Sequence, residues 1–249
     1  MILHSPIEGV ELLMDGSGPL IQCVVQNRDD GKVMPAGQKN NGGIMMDKTS
    51  LRKEAKTRLQ AMESDHREKD ASICRRVVEL MEATEASALA AYAAMKSEPM
   101  LESLMSAWLC SGKPLYLPRF NQSSREYEMV AVHDLSADLV MGHYGILEPR
   151  SELAGLRPPY DGDRRMMWLI PGLGFDMKGH RLGRGGGYYD RLLCGATGMK
   201  TGIGYDCQIF DAIPCEPHDI GVDYVVTETR IVECGWHLCP EGLRKRFHD

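Results

Sequence analysis

The sequence has little of what marks membrane or exported proteins. No apolar run approaches the ~18 residues that a membrane span requires. The first residues, MILHSPIEGVELLM, contain no basic segment and are interrupted by Glu8 and Glu11, which is not typical of a signal peptide. We therefore expect a cytoplasmic protein without a membrane partner.

Basic charge and cysteine motifs are also scarce. With 29 basic and 35 acidic residues, the formal net charge is -6, which argues against non-specific nucleic-acid binding because such binding needs a basic surface. The eight cysteines include no CxxC pair, and the small group Cys234, His237 and Cys239 has no second cluster beside it. These patterns favour reduced thiols over a disulfide framework or a zinc site.

The chain is long enough for one domain with an appendage. Its apolar fraction of 43% in 249 residues suffices for a core. Residues 1–46 carry Gly-Ser-Gly and Asn-Asn-Gly-Gly segments without a sustained period, which predicts a loosely ordered extension. With five acidic and three basic residues, this extension is least typical of an organelle-addressing segment. The main domain is placed at residues 47–232 and a tail at 233–249, and we expect a monomer.

Helical patterns begin at Asp47. The stretch DKTSLRKEAKTRLQAM predicts a helix with one apolar stripe, formed by Leu51, Ala55, Leu59 and Met62. Asp65 followed by Glu68 is typical of a helix start. The buried face of this second helix is predicted to consist of Ile73, Cys74, Val77, Val78 and Met81.

Short strand-like runs are interspersed with these helices. ASALAAYAAM is interpreted as a brief buried strand, and Pro99 as a first-turn residue of a helix that carries Trp108. Further strands are predicted in LYLP, YEMVAV, MWLIP, KTGIGYD and VDYVVTE. Strands that alternate with helices predict an α/β layered fold with a largely parallel sheet.

One stretch, FDMKGHRLGRGGGYYDRLL at residues 175–193, concentrates groups suited to binding an anion. Consecutive glycines let backbone N–H groups converge on an anion, and the first turn of a following helix adds positive potential. Arg181 and Arg184 offer planar, permanently charged donors for phosphate oxygens, and Asp190 can hold a hard cation such as Mg²⁺. The stretch therefore indicates a site for a polyphosphate with its metal.

The alternative is a solvated glycine-rich turn whose arginines pair with nearby aspartates. That alternative is weakened because the glycines follow a predicted buried strand and lie within ten residues of cations, aromatics and a carboxylate. Neither GxGxxG nor GxxxxGK[ST] occurs, which disfavours a Rossmann dinucleotide site and a P-loop.

The same stretch resembles a known family signature. PGLGFDMKGHRLGRGGGYYDRLL is similar to the signature of the 5-formyltetrahydrofolate cyclo-ligases, also called methenyltetrahydrofolate synthetases. KTSLRKEAKTRLQAM, YAAMKSE, GKPLYLPR, YGILEP and GYDCQIFDAIPCEPHDIGVDYVVTE resemble further blocks of that family in the same order. The resemblance covers about residues 47–232.

The resemblance implies a three-layer α/β/α fold, NagB/RpiA-like, with a largely parallel sheet. It also implies an ATP- and Mg²⁺-dependent ring closure of 5-formyltetrahydrofolate to 5,10-methenyltetrahydrofolate, with release of ADP and phosphate. Phosphoryl transfer needs positioning and charge neutralisation more than a protein nucleophile, so the lack of a Ser-His-Asp or Cys-His pattern is no objection.

The resemblance also implies roles for individual residues. The residues that the resemblance implies for ATP binding are Lys48, Arg52, Arg181, Leu182, Gly183, Arg184, Gly185, Gly186, Gly187, Tyr188 and Tyr189. Folate binding falls to Ala93, Glu98, Arg184, Gly185, Gly186, Gly187 and Tyr188. The metal ligands would be Asp190 and Asp223.

Two other functions stay open on the sequence. One is a related enzyme that uses ATP on another formylated or pterin-like substrate. The other is a non-catalytic regulator that binds folate or nucleotide, against which the retained carboxylates, loop arginines and basic helix argue. Taken by spacing alone, Lys48 and Arg52 could also be an ordinary solvated helix face.

Overall fold

The computed structural model describes residues 46–62, 66–142, 145–156 and 165–234, together with four two-residue strands near the start. The chain divides into two compact units, Met1–Gly43 and Ile44–Asp249. In the first unit the antiparallel strand pairs are β1 (Leu3–His4) with β2 (Glu11–Leu12) and β3 (Met14–Asp15) with β4 (Gly18–Pro19). Most of the predicted extension, and the tail from residue 235 with His237 and Cys239, lie outside the described residues.

The second unit alternates helices and strands. Its helices, within the described residues, are α1 (Lys48–Ala61), α2 (Arg67–Ala83), α3 (Glu102–Cys110) and α4 (Tyr188–Leu192). Its main sheet contains β5 (Ala88–Ala90), β6 (Leu115–Asn121), β7 (Glu126–Val132), β10 (Gly155–Leu156), β11 (Met166–Pro171), β14 (Met199–Ile203), β16 (Tyr224–Val226) and β17 (Ile231–Glu233). Smaller sheets contain β8 (Leu139–Met141), β9 (Leu147–Pro149), β12 (Gly174–Asp176), β13 (Arg181–Leu182) and β15 (Ile209–Phe210).

The main sheet has the order β10-β7-β6-β5-β11-β14-β16-β17. The strands from β6 through β5, β11 and β14 to β16 pair in parallel, whereas β7, β10 and β17 add antiparallel edges. This confirms the predicted α/β fold with a mostly parallel central sheet. Two parallel strands need a crossover connection, usually a helix, whereas a short hairpin can join only antiparallel strands.

The central strand β11 is buried on both faces, as expected of a strand in the middle of a parallel sheet. Met167 and Leu169 belong to the core formed with α2 and α3, whereas Trp168 and Ile170 belong to the core that includes Leu192 of α4. Side chains alternate across a strand, so one apolar run serves both layers. Among the described residues, no helix combines the length and apolar character that crossing a membrane requires.

Helix α1 matches its prediction. Asp47 caps it by accepting a hydrogen bond from Ser50 N at 2.7 Å. Leu51 and Ala55 are buried against Leu173, Leu182 and Phe210, so α1 packs on the small sheet of β13, β12 and β15. The amphipathic stripe therefore fixes this helix beside the stretch that precedes the glycines.

Two local predictions were wrong. A third, the helix start at Asp65, falls outside the described residues; α2 begins at Arg67, and its capping residue His66 makes no side-chain cap hydrogen bond. Val78 is exposed because it lies off the stripe that buries Ile73 and Val77. Pro99 precedes α3, which begins at Glu102; the Pro99 carbonyl instead accepts a hydrogen bond from the Tyr92 hydroxyl at 3.0 Å.

Candidate active site

The glycine-rich loop, residues 183–187, joins β13 to α4 and lies beyond the carboxyl end of β11. It lines a cleft together with Pro171, the last residue of the central strand, and Gly172, which follows the strand. Loops at the carboxyl ends of parallel strands form the ligand sites of open α/β sheets. The observed position therefore agrees with the sequence interpretation.

Glycine is required at particular points of this loop. Gly185 has φ +105° and Gly187 has φ +62°, a region that L side chains rarely occupy. A Cβ on Gly186 would lie 2.5 Å from Cε2 of Tyr188. The loop backbone is thus pressed against an aromatic ring and cannot accept a larger residue without moving.

Helix α1 holds the loop from its other side. Arg52 Nε donates a hydrogen bond to the Gly183 carbonyl at 3.0 Å, and its guanidinium lies beside Gly185. The carboxyl pKa of Asp47 is lowered, chiefly by the hydrogen bond from Ser50 N–H. The anionic cap therefore keeps the first turn of α1 ordered where Lys48 and Arg52 project.

A largely apolar cleft of about 430 Å³ lies on one side of the loop. Its walls include Tyr92, Ala93, Tyr127, Leu147 and Tyr188. Charged groups enter this apolar cleft at Glu98, Arg181, Arg184 and Asp190. An apolar cavity with a few convergent polar groups suits a flat heterocyclic ligand.

Glu98 is the anchor of this apolar cleft. Its side chain is only 7% exposed, and Oε2 accepts a hydrogen bond from Met95 N at 3.0 Å. Oε1 accepts hydrogen bonds from Arg184 Nη2 at 2.9 Å and from Nε at 3.3 Å. The carboxylate is therefore held by its own turn through one oxygen and by the glycine-rich loop through the other.

The two tyrosines that follow the glycines differ in environment. Tyr188 is 37% exposed and faces the ring of Tyr127 edge-on, with centroids 5.1 Å apart. Tyr189 packs against the core. Burial raises the pKa of its hydroxyl, and the negative charge of Glu98 raises that pKa further. Both line the apolar cleft and supply aromatic surface to it.

A second, charged cleft of about 490 Å³ adjoins the apolar one along the loop. Its lining residues include Lys48, Arg52, Arg181, Asp190, His218 and Asp219. Three permanent cations with loop N–H groups suit the oxygens of a polyphosphate. The carboxylates among them offer hard oxygen ligands for a divalent cation.

The carboxylates of the charged cleft are held by short contacts. Asp190 Oδ1 accepts hydrogen bonds from Arg181 Nη2 at 2.8 Å and from Ile220 N at 3.2 Å. Asp219 Oδ2 accepts from Lys48 Nζ at 2.6 Å and from Glu216 N at 2.6 Å. Because Ile220 directly follows Asp219, the two carboxylates belong to one side of the cleft.

Asp223, the other predicted metal ligand, is placed elsewhere. Its Oδ2 accepts a hydrogen bond from Lys200 N at 2.8 Å, beside the start of β16, and it is not among the described residues that line either cleft. Among the described residues, no group of three or more potential metal ligands occurs. Asp219, which sequence reasoning missed, has the better position next to Asp190.

The two clefts share a wall made of Arg181, Gly183, Gly187 and Asp190. Of the other predicted residues, Lys48, Arg52, Leu182 and Gly185 line only the charged cleft. Ala93, Glu98, Arg184, Gly186, Tyr188 and Tyr189 line only the apolar cleft. The structure thus brings together every predicted site residue except Asp223.

Tyr92 and Tyr127 were also missed. Tyr127 lies in β7. The only local sign of its position was the strand pattern YEMVAV, in which successive side chains point to opposite faces of the sheet. Tyr92 follows β5 in an alanine-rich run that gives no sign of a ligand site.

The fold and the paired clefts define the class of protein, an α/β enzyme with two adjoining clefts around one glycine-rich wall. A family model described as the 5-formyltetrahydrofolate cyclo-ligase family matches residues 44–228. The chain therefore belongs to this family, and the resemblance noted in the sequence is confirmed.

Individual relatives agree with this assignment. A 5-formyltetrahydrofolate cyclo-ligase of Escherichia coli (strain K12) is 32% identical over 142 residues, which cover 56% of this chain and 74% of the bacterial one. The enzyme of the same name from Mus musculus is 28% identical over 197 residues, covering 73% of this chain and 93% of the mouse one.

Solved structures agree as well. The NMR structure of Aquifex aeolicus 5,10-methenyltetrahydrofolate synthetase matches with a TM-score of 0.64 at 34% identity, covering 76% of this chain and 93% of that chain. A 5,10-methenyltetrahydrofolate synthetase from Mycoplasma pneumoniae matches with a TM-score of 0.57 over 74% of this chain and 99% of that chain. At 22% identity the latter supports the fold alone.

Proposed function

We propose that this chain closes the ring of 5-formyltetrahydrofolate at the expense of ATP, with Mg²⁺, to give 5,10-methenyltetrahydrofolate, ADP and phosphate. The proposal rests on one observation: residues of the glycine-rich loop and of the two elements that flank it line both an apolar cleft and a charged cleft. A reduced pterin in the first cleft and a triphosphate in the second would meet at the wall that the two clefts share. Family membership supports the same reaction.

In the charged cleft, Lys48, Arg52 and Arg181 would bind the phosphate oxygens, and the loop N–H groups would approach them without Cβ interference. The cluster places positive charge around the phosphate oxygens, and such charge neutralisation is the main requirement of phosphoryl transfer. Lys48 is paired with Asp219 in the structure, so it would exchange this carboxylate for phosphate when nucleotide binds.

Asp190 and Asp219 are the residues we propose to hold Mg²⁺, because both line the charged cleft and both present carboxylate oxygens. The cation would neutralise phosphate oxygens during transfer. Asp223 is the alternative second ligand that the family resemblance suggests.

In the apolar cleft, Glu98 would accept hydrogen bonds from adjacent N–H donors of the pterin, as a carboxylate can do in pairs. Tyr188 would pack on the bound substrate with Ala93 and Tyr127. The formyl oxygen would then meet the γ-phosphate where the two clefts adjoin.

The chemistry requires two bond exchanges. The formyl oxygen attacks the γ-phosphorus and the bond to the β-phosphate oxygen breaks, which releases ADP. N10 then attacks the activated formyl carbon, the C–O bond breaks, and phosphate leaves with the former formyl oxygen while N10 loses its proton. The protein contributes alignment and charge, not a covalent nucleophile.

The test is to mix the protein with ATP, Mg²⁺ and 5-formyltetrahydrofolate and to follow the absorbance of the methenyl product together with ADP. We expect both to appear in equal amounts and only when all three components are present. ADP formation without the chromophore would instead favour a related enzyme with another acceptor. Binding of both ligands without turnover would favour a regulator.

A further inference from the structure

Arg191 is an exposed residue of α4 whose side chain turns back onto the glycine-rich loop. Its Nη2 donates a hydrogen bond to the Gly186 carbonyl at 3.1 Å. Its Cζ lies 5.1 Å from the ring centroid of Tyr188, within the range of a cation–π contact. Arg191 is not among the described residues that line either cleft, so it would not touch a ligand itself.

The ring of Tyr188 is enclosed from several sides. The Gly186 backbone lies against it, since a Cβ there would be 2.5 Å from Cε2. The ring of Tyr127 meets it edge-on, with an interplanar angle of 65°. Tyr127 in turn contacts Phe120, its direct partner across β6 and β7, with centroids 5.3 Å apart. Arg191 also contacts the Tyr188 ring, so a series of contacts runs from the main sheet to the loop.

We propose that Arg191 is a positioning residue that holds Gly186 and Tyr188 in the arrangement the two clefts share. This inference rests on the proposed function and adds a residue to which no role has been given. Arg191 ties a backbone carbonyl of the loop and an aromatic side chain of the apolar cleft to the same planar guanidinium. Lysine cannot make both contacts in the same way, because its ammonium is a point charge.

The physical reason is conformational entropy. A run of glycines loses more backbone freedom on ordering than any other sequence, and this loop has left-handed φ at Gly187. A loop that is already ordered before its ligands arrive binds them more tightly, because binding then carries no further entropy cost of ordering the loop. Removal of Arg191 should therefore weaken the binding of both substrates and leave the chemical step nearly unchanged.

The experiment compares wild type, Arg191→Ala and Arg191→Lys in steady-state kinetics with each substrate varied. We expect Arg191→Ala to raise the KM for ATP and for 5-formyltetrahydrofolate by about 5- to 20-fold, the size expected for one lost cation–π contact and one lost hydrogen bond. We expect kcat to change by less than about threefold and Arg191→Lys to recover part of the loss in KM.

Arg75→Ala is the matched control. Arg75 is exposed on α2, and its Nη2 donates to the Ser72 hydroxyl at 2.9 Å. It should leave both KM values unchanged. Unchanged KM in Arg191→Ala, or a loss confined to kcat, would overturn the proposal, as would a melting temperature lowered by more than about 5 °C with a proportional loss of active protein.

A second measurement identifies the route through Tyr188. In a Tyr188→Leu background, we expect Arg191→Ala to change KM by less than about half of its effect in wild type, because coupled residues are not additive. Full additivity would contradict the proposed route.

Binding of a non-hydrolysable ATP analogue, measured by calorimetry, separates this inference from the proposed function. If wild type forms no methenyl product, the proposed function fails, whereas weaker analogue binding by Arg191→Ala still supports the positioning role. If wild type turns over and Arg191→Ala binds the analogue as wild type does, the positioning role fails and the function stands.

Discussion

Arg184 and Glu98 form an ion pair, with Nη2 of the arginine 2.9 Å from Oε1 of the glutamate, across the mouth of the apolar cleft. The arginine side chain is 42% exposed and the glutamate side chain 7% exposed, so the pair joins an exposed partner to a buried one. A ligand with paired N–H donors would compete with Arg184 for Oε1. Once displaced, the guanidinium would be available to phosphate oxygens on the other side of the loop.

The first prediction concerns this pair. Glu98→Gln keeps the shape of the side chain but leaves a single neutral acceptor, so we expect the KM for 5-formyltetrahydrofolate to rise roughly 10- to 100-fold. The KM for ATP should change less than about threefold. Arg184→Ala should abolish turnover while the protein remains folded.

Glu102→Gln, an exposed carboxylate in the first turn of α3, is the matched control for Glu98→Gln and should leave both KM values unchanged. Equal effects of Glu98→Gln on the two KM values would count against a folate-specific role. Full activity of Arg184→Ala would remove that arginine from the reaction.

The second prediction distinguishes the candidate metal ligands. Asp190→Asn should abolish turnover but keep the fold, because asparagine can still accept the hydrogen bond from Arg181. Asp219→Asn should raise the Mg²⁺ concentration needed for half-maximal rate by about tenfold or more. Direct Mg²⁺ titration by calorimetry in the presence of an ATP analogue gives a second readout.

Asp223→Asn is the informative comparison. Its carboxylate accepts the Lys200 amide beside β16, a hydrogen bond that asparagine can also accept, so we expect a folded protein with an unchanged Mg²⁺ requirement. The opposite pattern, with the Mg²⁺ requirement raised only in Asp223→Asn, would assign the metal to the residue that the family resemblance suggests.

The third prediction concerns the left-handed glycines. Gly187→Ala places a Cβ at φ +62° and 3.0 Å from Nη1 of Arg191, so it should lower the free energy of unfolding by about 1–2 kcal/mol. It should also raise both KM values roughly tenfold, because the loop and Arg191 must shift. Chemical denaturation and steady-state kinetics measure the two effects separately.

Gly112→Ala is the control for this change. Gly112 has φ +74°, and a Cβ there would meet nothing within 4 Å. We expect a similar loss of stability without any change in KM. If both variants alter KM to the same degree, general loosening rather than local geometry explains the effect.

The fourth prediction concerns the dependence of stability on pH. Asp206 Oδ1 accepts a hydrogen bond from Thr227 Oγ1 at 2.6 Å, and Oδ2 accepts one from Thr229 Oγ1 at 2.5 Å. Burial opposes ionisation, yet these hydrogen bonds and Arg230 hold the pKa of the Asp206 carboxyl below its ordinary value of 3.8.

A lowered folded-state pKa means that the ionised carboxylate stabilises the fold above pH 3.8 and that this contribution is lost as pH falls through the folded-state pKa. Asp206→Asn should therefore lower the free energy of unfolding by about 1 kcal/mol at pH 7, with a difference that shrinks below pH 4. Denaturation curves from pH 3 to 8 test this. Asp211→Asn, an exposed carboxylate nearby, should show no such pattern, and a difference that stays constant down to pH 3 would contradict the account.

The sequence predicts best where the physical cause is local. The Asp47 cap and the stripe through Leu51 and Ala55 determine α1 within one segment, and the structure reproduces it. Gly185 and Gly187 are similar, because the backbone conformation they adopt depends on the residue itself. The place of Glu98 in the site was also predicted, but from the family resemblance and not from a local pattern.

The other features of the site depend on contacts between segments that lie far apart in the sequence. Tyr127 reaches the apolar cleft because β7 pairs with β6 and faces α4, a relationship that no local pattern encodes. Asp219 reaches Lys48 across 171 positions of the chain, and by spacing alone it is an ordinary loop carboxylate. Asp223 was implied by the family resemblance and not by any local pattern, and in the structure its carboxylate accepts a hydrogen bond from the Lys200 amide.

The wall that the two clefts share, made of Arg181, Gly183, Gly187 and Asp190, has a consequence for evolution. On the proposed function, the acceptor is bound in the apolar cleft, which Ala93 and Tyr127 line, and the phosphates in the charged cleft, which Lys48 and Arg52 line. Replacements in the apolar cleft would then admit a new acceptor and leave the nucleotide half unchanged, as long as the residues that both clefts share are kept.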